Sequence, residues 1–187
     1  MTARDDQLVR ATLTGDLQAF GQLVERHRDL VLRVAARIVG DDDAEDIAQD
    51  AFLRAYHRLE RWRGDGPFRT WLLHIAHNSA LDALSARRIA SVPLDESAHE
   101  VPDAAERTPA ARLESAERLR RLDVKLKALS HQHRTVLVLR DIEGLSYDEI
   151  ATVADMPLGS VKARLHRARA EFIDALRRNT YDWELPR

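Results

Sequence analysis

Apolar residues recur near the start of the chain at steps of three and four, the spacing of one face of an α-helix. They are Leu17, Phe20, Val24, Val31, Val34 and Ile38. Gly40 follows this stripe, and glycine is common just past a helix C-terminus. The pattern predicts a long amphipathic helix that ends at Gly40.

Two further stripes of helical spacing follow before residue 90. After Asp43, the inner face of a second helix is predicted to carry Ile47, Ala51, Phe52, Ala55, Tyr56 and Leu59. Pro67 suits the first turn of a third helix, which is predicted to bury Phe68, Leu72, Ile75, Ala76 and Ala83. These helices predict a bundle over residues 10–89.

Residues 90–112 differ from the segments on either side. Pro93, Pro102 and Pro109 interrupt any helix, acidic residues are frequent, and few large apolar side chains remain to form a core. We expect a flexible acidic linker that lets two domains grip separate sites on one partner.

Helical spacing resumes in residues 113–178, beginning with Leu119, Leu122, Leu126 and Leu129. A further helix is predicted from Ser130 to just before Gly144. The predicted fold is therefore all-α, with two small helical domains joined by the linker.

The sharpest local signal of the chain lies at residues 145–150. Ser146 and Glu149 have the spacing of a capping box, and Leu145 and Ile150 are placed as a hydrophobic staple. A short helix to about Ala154, a turn over 155–159 and a last helix capped by Ser160 follow. Short helix, tight turn and second helix are typical of a helix-turn-helix unit.

The last helix is predicted to bury Val161, Leu165, Ala168 and Phe172 on one face and is basic on the other. No acidic residue lies between Asp155 and Glu171. For the charge alone, a solvated basic face is the commoner explanation. Together with the capped short helix and the Pro-Gly turn, the charge favours DNA binding in the major groove.

Composition narrows the remaining classes. The 187 residues carry a net charge of -2 and no cysteine, which excludes disulfides, thiol catalysis and cysteine-based zinc sites. No apolar run approaches the roughly 20 residues of a membrane span, and the N-terminus does not read as a signal peptide. We expect a cytoplasmic protein without a cofactor or metal.

Both predicted domains contain segments that resemble the extracytoplasmic-function (ECF) group of bacterial RNA polymerase sigma factors. Residues 146–151 and 156–169 resemble region four of that family, and residues 43–52, 68–72 and 75–78 resemble region two. The matches lie in the expected order across a variable linker and together cover most of residues 10–178. Asp155 replaces a usual turn glycine and Ala163 a common hydroxyl residue, which leaves the promoter sequence open.

The resemblance implies three binding surfaces. Residues implied in docking the clamp helices of the polymerase largest subunit are Asp46, Gln49, Asp50 and Leu53. Residues implied in binding the single-stranded minus-ten element are Arg61, Trp62, Arg63, Trp71, Asn78, Arg87 and Arg88. Residues implied in reading the minus-thirty-five element are Ser160, Lys162, Ala163, Arg164, His166, Arg167 and Arg169.

General chemistry is consistent with these binding roles, but for some of the residues it also offers a purely structural explanation. Acidic residues after Gly40 stabilise a helix N-terminus whatever they bind. Arginines hold a phosphate backbone and aromatic rings stack on unpaired bases, but Tyr56 and Phe68 fall on apolar faces and are expected to be core. Trp62 differs because it lies in a loop. Asn78 is expected on an outward stripe of its helix together with His74.

The family further implies a contact with the flap of the second-largest polymerase subunit and control by an anti-sigma factor. One alternative is a stand-alone helix-turn-helix regulator of duplex DNA. A second is a metal-dependent hydrolase using the pairs His74/His77 and His131/His133, although no catalytic motif accompanies them. A third is an adaptor that only binds a regulator.

Overall fold

The computed structural model describes residues 2–90 and 121–178, with side chains from Asp5 to Arg87 and from Arg121 to Arg178. Within these ranges every regular element is helical, so the all-α prediction is confirmed. The predicted linker lies almost entirely outside the described residues.

The first module contains α1 (Thr2–Leu13), α2 (Leu17–Val39), α3 (Asp41–His57), a 3-10 turn (Leu59–Arg61) and α4 (Phe68–Ala90). The second contains the helical residues 121–127 (α5), α6 (His131–Leu137), a π-helical turn (Val138–Ile142), α7 (Tyr147–Val153) and α8 (Leu158–Arg177).

The long second helix ends where its pattern predicts. Asp16 caps its start by accepting hydrogen bonds from the backbone N–H groups of Gln18 and Ala19, at 2.9 and 3.2 Å. Gly40 ends it at φ 100°, a conformation that L side chains rarely adopt. Helix α3 begins directly at Asp41, three residues earlier than predicted, and three aspartates occupy its first turn where the helix dipole favours negative charge.

Helix α1 has no counterpart in the sequence prediction. Its Val9 is 1% exposed and Asp5 is 7% exposed, so the helix packs into the first module. Amphipathic helices are predicted from apolar residues at the buried positions. In α1 one of the buried positions is occupied by the acidic Asp5, which weakens that pattern.

Several of the predicted core residues are more exposed than expected, among them Leu17, which is 65% exposed, and Phe172, which is half-buried. Tyr56 is 39% exposed, and only its ring edge packs on Phe20, with centroids 5.0 Å apart. Ala83 is half-buried at the rim of the core.

The two modules pack against each other. One cluster of buried side chains runs from Val34, Leu73 and Ala80 of the first module into Val136 and Leu165 of the second. Polar contacts join the same surfaces: Arg33 donates to both carboxylate oxygens of Glu143 at 3.1 Å.

Further cross-module contacts flank this cluster. Lys127 donates to Asp41 at 3.2 Å, and Arg134 donates to the backbone carbonyl of Arg37 at 3.3 Å. The interface therefore combines an apolar centre with a charged rim. None of the described helices has the length and apolar character that a membrane span requires.

Candidate nucleic-acid interface

The helix-turn-helix unit forms as its capping signals predict. The Ser146 hydroxyl accepts a hydrogen bond from the Glu149 backbone N–H at 3.2 Å, and the Glu149 carboxylate accepts one from the Ser146 N–H at 2.8 Å. Leu145 and Ile150 are both fully buried. This reciprocal cap fixes the start of α7 and hence the angle at which α8 leaves the turn.

Asp155 adopts φ 47° in that turn, and it is the one non-glycine residue with positive φ in the described chain. Aspartate tolerates the left-handed region better than most L-residues. The turn therefore closes despite the missing glycine, and the Met156 N–H donates to the Ala151 carbonyl at 3.0 Å.

The start of α8 differs from the prediction. Pro157 is the N-cap and Ser160 lies inside the first turn, where its N–H donates to the Pro157 carbonyl at 2.9 Å. Pro157 has the extended backbone of an N-cap residue (φ -60°, ψ 144°), and the first turn of α8 has no side-chain cap. Ser160 is exposed and remains on the predicted DNA-facing end of the helix.

Helix α8 separates its faces as predicted. Val161, Leu165 and Ala168 are at most 1% exposed. Among the residues predicted to read DNA, the exposed ones are Ser160, Lys162, Ala163, His166, Arg167 and Arg169. A row of cations therefore projects away from the packed second module, which is the form of a helix that enters a DNA groove.

One of the predicted cations is paired within the protein, and another is partly buried. Arg169 makes a paired contact with both carboxylate oxygens of Asp141, at 3.1 and 2.6 Å, which raises the pKa of the guanidinium. Arg164 is half-buried and lies close enough to His77 of the first module to act on its pKa. Lys162, His166 and Arg167 form the more open part of the row.

An aromatic cluster lies in the first module at the start of α4. The Phe68 ring is buried between Trp62, at 5.8 Å and 84° between the ring planes, and Trp71, at 5.6 Å. Trp62 is half-buried, and Arg61 and Arg63 on either side of it are exposed. The loop thus presents an indole supported from beneath and flanked by two cations.

The expected outward stripe of α4 is only partly exposed. His74 Nδ1 lies 3.1 Å from the Val153 carbonyl of α7, so the second module covers this side chain. Asn78 is half-buried and its amide nitrogen lies 3.1 Å from His74 Nε2. The prediction for His74 is wrong because α7 packs along this face.

The arginines at the end of α4 divide between the described and undescribed parts of the chain. Arg87 forms an ion pair with Asp43 and donates to the Val39 carbonyl at 3.3 Å. It is therefore anchored to the α2–α3 corner. The side chain of Arg88 lies outside the described residues.

The acidic face of α3 is open. Asp46 and Gln49 are exposed, and Leu53 is 61% exposed. Asp50 pairs with Arg54 at 2.8 Å, and Arg54 also pairs with Asp82 of α4. Three of the four predicted docking residues are thus unencumbered, while Asp50 also belongs to an intramolecular network.

Several polar residues between the modules were not predicted from the sequence. Glu149 accepts hydrogen bonds from Arg69 at 3.0 Å and Thr70 at 3.1 Å, in addition to capping α7. The backbone and Arg69 hydrogen bonds lower the pKa of this carboxyl, against the effect of burial. Only the capping role can be read from local spacing, because the partner lies about 80 residues away in the chain.

His77 is the most perturbed group of this contact. It is 6% exposed and its Nδ1 has no hydrogen-bond partner among the described residues. Burial lowers the pKa of His77 to about 4, and the nearby His74, His131 and Arg164 act in the same direction. Although His74 and His77 are neighbours, the described part of the chain brings no third metal-ligand side chain to them.

Comparison with known proteins identifies both modules. Residues 23–89 match the family model for Sigma-70 region 2, and residues 119–172 match that for Sigma-70 region 4. The RNA polymerase sigma-H factor of Pseudomonas aeruginosa is 38% identical over 182 residues, covering 92% of this chain and 94% of the relative. The ECF RNA polymerase sigma-E factor of Escherichia coli is 37% identical over 177 residues, covering 91% and 92%.

The chain belongs to the ECF group of sigma-70 factors. As a sigma factor it binds core RNA polymerase and directs transcription initiation at promoters, recognising their minus-thirty-five and minus-ten elements and helping to open the DNA. The resemblance noted in the sequence is confirmed.

Solved structures share the fold of this sigma factor. CnrH in complex with the cytosolic domain of CnrY matches with a TM-score of 0.70 and 32% identity, covering 95% of this chain and 99% of CnrH. The Bartonella quintana sigma factor RpoE, in complex with the anti-sigma factor NepR, has a TM-score of 0.71 at 21% identity, covering 87% of this chain and 99% of RpoE. The second likeness concerns the fold alone.

Proposed function

We propose that this sigma factor uses three separate surfaces, which bind core polymerase, the single-stranded minus-ten element and the duplex minus-thirty-five element. The observation that carries the proposal is the separation of charge. An open acidic face lies on α3, cations flank the Trp62 loop, and a row of cations lies on α8. Nothing in this division requires catalysis, and we assign the protein a binding role, in the cytoplasm, rather than an enzymatic one.

The acidic face docks the polymerase. Asp46, Gln49 and Asp50 supply a polar rim around the exposed Leu53, a composition that suits a reversible interface with a basic helical surface. We assign this surface to the clamp helices of the largest polymerase subunit. The second module would contact the flap of the second-largest subunit.

The cationic surfaces bind the promoter. Lys162, His166 and Arg167 offer donors to phosphates and base edges of the duplex minus-thirty-five element. At the minus-ten element, Trp62 stacks on an unpaired base while Arg61 and Arg63 hold the strand. Ser160, Ala163 and Arg164 complete the duplex-reading surface, and Arg169 would join it by exchanging Asp141 for phosphate.

The remaining minus-ten residues lie along α4. Trp71 and Asn78 are half-buried and would contact the opened strand from the side of the helix. Arg87 and Arg88 would hold phosphates near its end. Because α7 covers His74 beside Asn78, full access to this surface requires the second module to move.

We also assign an anti-sigma factor as a regulatory partner. CnrH, which is 32% identical and matched over nearly its whole length, is found in complex with the cytosolic domain of CnrY. A protein that covers the exposed face of α3 or the cations of α8 would compete with polymerase or DNA for the same residues.

Run-off transcription with purified core polymerase tests the class directly. Addition of this chain to core enzyme and a broad promoter pool is expected to produce specific start sites. A stand-alone regulator would instead bind a specific duplex tightly without core polymerase and yield no start site.

The docking surface is tested with Leu53→Ala. Its side chain is 61% exposed, so the change leaves the fold intact and is expected to weaken core association about three- to tenfold. Leu13→Ala removes a comparably exposed leucine, 47% exposed, at the end of α1 and serves as the control. Equal core affinity of the two variants in a pull-down titration would remove Leu53 from the interface.

A further inference from the structure

Helix α1 contributes a buried carboxylate to the part of the first module that supports the Trp62 loop. Asp5 is 7% exposed. Its side chain forms an ion pair with Arg26, and its Oδ2 lies 3.1 Å from Nε2 of His27. This helix precedes the residues that match Sigma-70 region 2, so that match gives it no role.

The imidazole of His27 is fixed in one orientation by this contact. His27 is 7% exposed, and burial lowers its pKa although Asp5 acts in the opposite direction. A neutral ring donates its Nε2–H to the Asp5 carboxylate. The partner thereby selects both the tautomer and the rotation of the ring.

The His27 ring in turn lies against Phe68. Their centroids are 5.5 Å apart and their planes meet at 52°. Phe68 is 1% exposed and supports Trp62 edge-to-face at 5.8 Å. A continuous series of contacts therefore runs from a charged residue of α1 to the half-buried indole of the loop.

We propose that Asp5 is a positioning residue for promoter opening, acting through His27 and Phe68 to hold Trp62 in its base-capturing orientation. The inference rests on the proposed role of Trp62. A buried carboxylate costs more free energy to bury than an apolar side chain of similar size. What an apolar residue could not supply is a directional hydrogen bond, and here that bond fixes a ring that packs on the support of Trp62.

A double-mutant cycle on the holoenzyme tests the coupling. Opening is followed by the fluorescence of 2-aminopurine placed in the melted segment of a promoter found by start-site mapping. Asp5→Asn removes the charge that pairs with both Arg26 and His27 and is expected to slow opening about three- to tenfold, while core affinity and closed-complex affinity are unchanged. Asp6→Asn makes the same charge change at the next residue and is expected to leave opening unchanged.

The decisive measurement is Asp5→Asn in a Trp62→Ala background. If Asp5 acts through Trp62, it slows opening by no more than about twofold beyond Trp62→Ala alone. Full multiplication of the two effects overturns the inference and leaves the role of Trp62 intact. If Trp62→Ala itself does not slow opening, the role of the loop fails and the inference fails with it.

His27→Gln provides a second route if Asp5→Asn is too unstable to bind core polymerase. Glutamine keeps a donor for Asp5 but removes the ring that packs on Phe68. The same non-additive result with Trp62→Ala is expected, and independent effects would again overturn the inference.

Discussion

His77 is a buried imidazole at the contact between the two modules, and it makes stability depend on pH. Because its pKa in the folded protein is about 4, against about 6.5 in an unfolded chain, the unfolded state binds a proton first as pH falls. Stability from this group is therefore present above pH 6.5 and is lost progressively between pH 6.5 and pH 4. Lowering the pH from 7 to 5 should cost about 2 kcal/mol through His77 alone.

His77→Gln is expected to remove that part of the pH dependence. Urea unfolding at pH 7 and pH 5 measures it, and His57→Gln, at an exposed position of α3, is the control. A variant that loses as much stability as the parent between these pH values would show that His77 does not titrate as its burial requires.

Arg167 and Arg169 lie two residues apart on α8 and should behave differently. Arg167 is exposed, whereas Arg169 is paired with both oxygens of Asp141. Arg167→Ala is expected to weaken minus-thirty-five recognition about tenfold, the usual effect of losing one good base contact, with core binding unchanged. Binding of holoenzyme to labelled promoter DNA measures this, and Arg177→Ala at the far end of the helix is the control.

A loss of core association in Arg167→Ala would contradict the assignment of Arg167 to DNA binding.

For individual residues of α8, the sequence predicted which cationic side chains are exposed, because exposure follows helical spacing. It could not predict that Arg169 has an intramolecular partner, since Asp141 lies 28 residues earlier and meets it only after the second module folds.

The capping box is the element whose structure follows most directly from sequence. Ser146 and Glu149 satisfy each other's backbone N–H groups, and both signals lie within four residues. Ser146→Ala is expected to reduce the free energy of unfolding by about 1 kcal/mol. Urea unfolding measures this, and Thr152→Ala, an exposed hydroxyl later in the same helix, should cost less.

Equal losses in the two variants would mean that the cap contributes nothing beyond a surface hydroxyl.

The contrast with α8 and α1 shows why element boundaries are harder to predict. Ser160 has a capping side chain, but Pro157 already supplies the required backbone. Helix α1 lacks a clear apolar pattern because one of its buried residues is the acidic Asp5. Partners in α2 stabilise this carboxylate.

At the scale of the whole molecule, the packing between modules decides which surfaces are open. Helix α7 covers Thr70 and His74 of α4 through Glu149 and the Val153 carbonyl, while the exposed cations of α8 remain accessible. The sequence predicts the apolar faces of each helix but not their pairing. Val34 and Leu165, for example, have the spacing of core residues whether they face their own bundle or the other module.

The Arg33–Glu143 pair is the most directional contact of the charged rim, and reversing it should separate the modules. The Glu143 side chain is 6% exposed, so Glu143→Arg places two cations against each other in a poorly solvated position. We expect this change to weaken the closed arrangement by about 1–3 kcal/mol, and Arg33→Glu to do the same. The double exchange restores an attractive pair and should recover most of the loss.

Energy transfer between dyes on the two modules measures the separation. The control is Glu45→Arg, since Glu45 pairs with Arg28 inside the first module and its reversal should leave the distance between modules unchanged. Separation uncovers the face of α4 beside Asn78, so Glu143→Arg should also bind single-stranded minus-ten DNA more tightly than Glu45→Arg, which makes the same change of charge. An unchanged distance in Glu143→Arg would mean that the apolar cluster around Val34 and Leu73 holds the modules together without help from the charged rim.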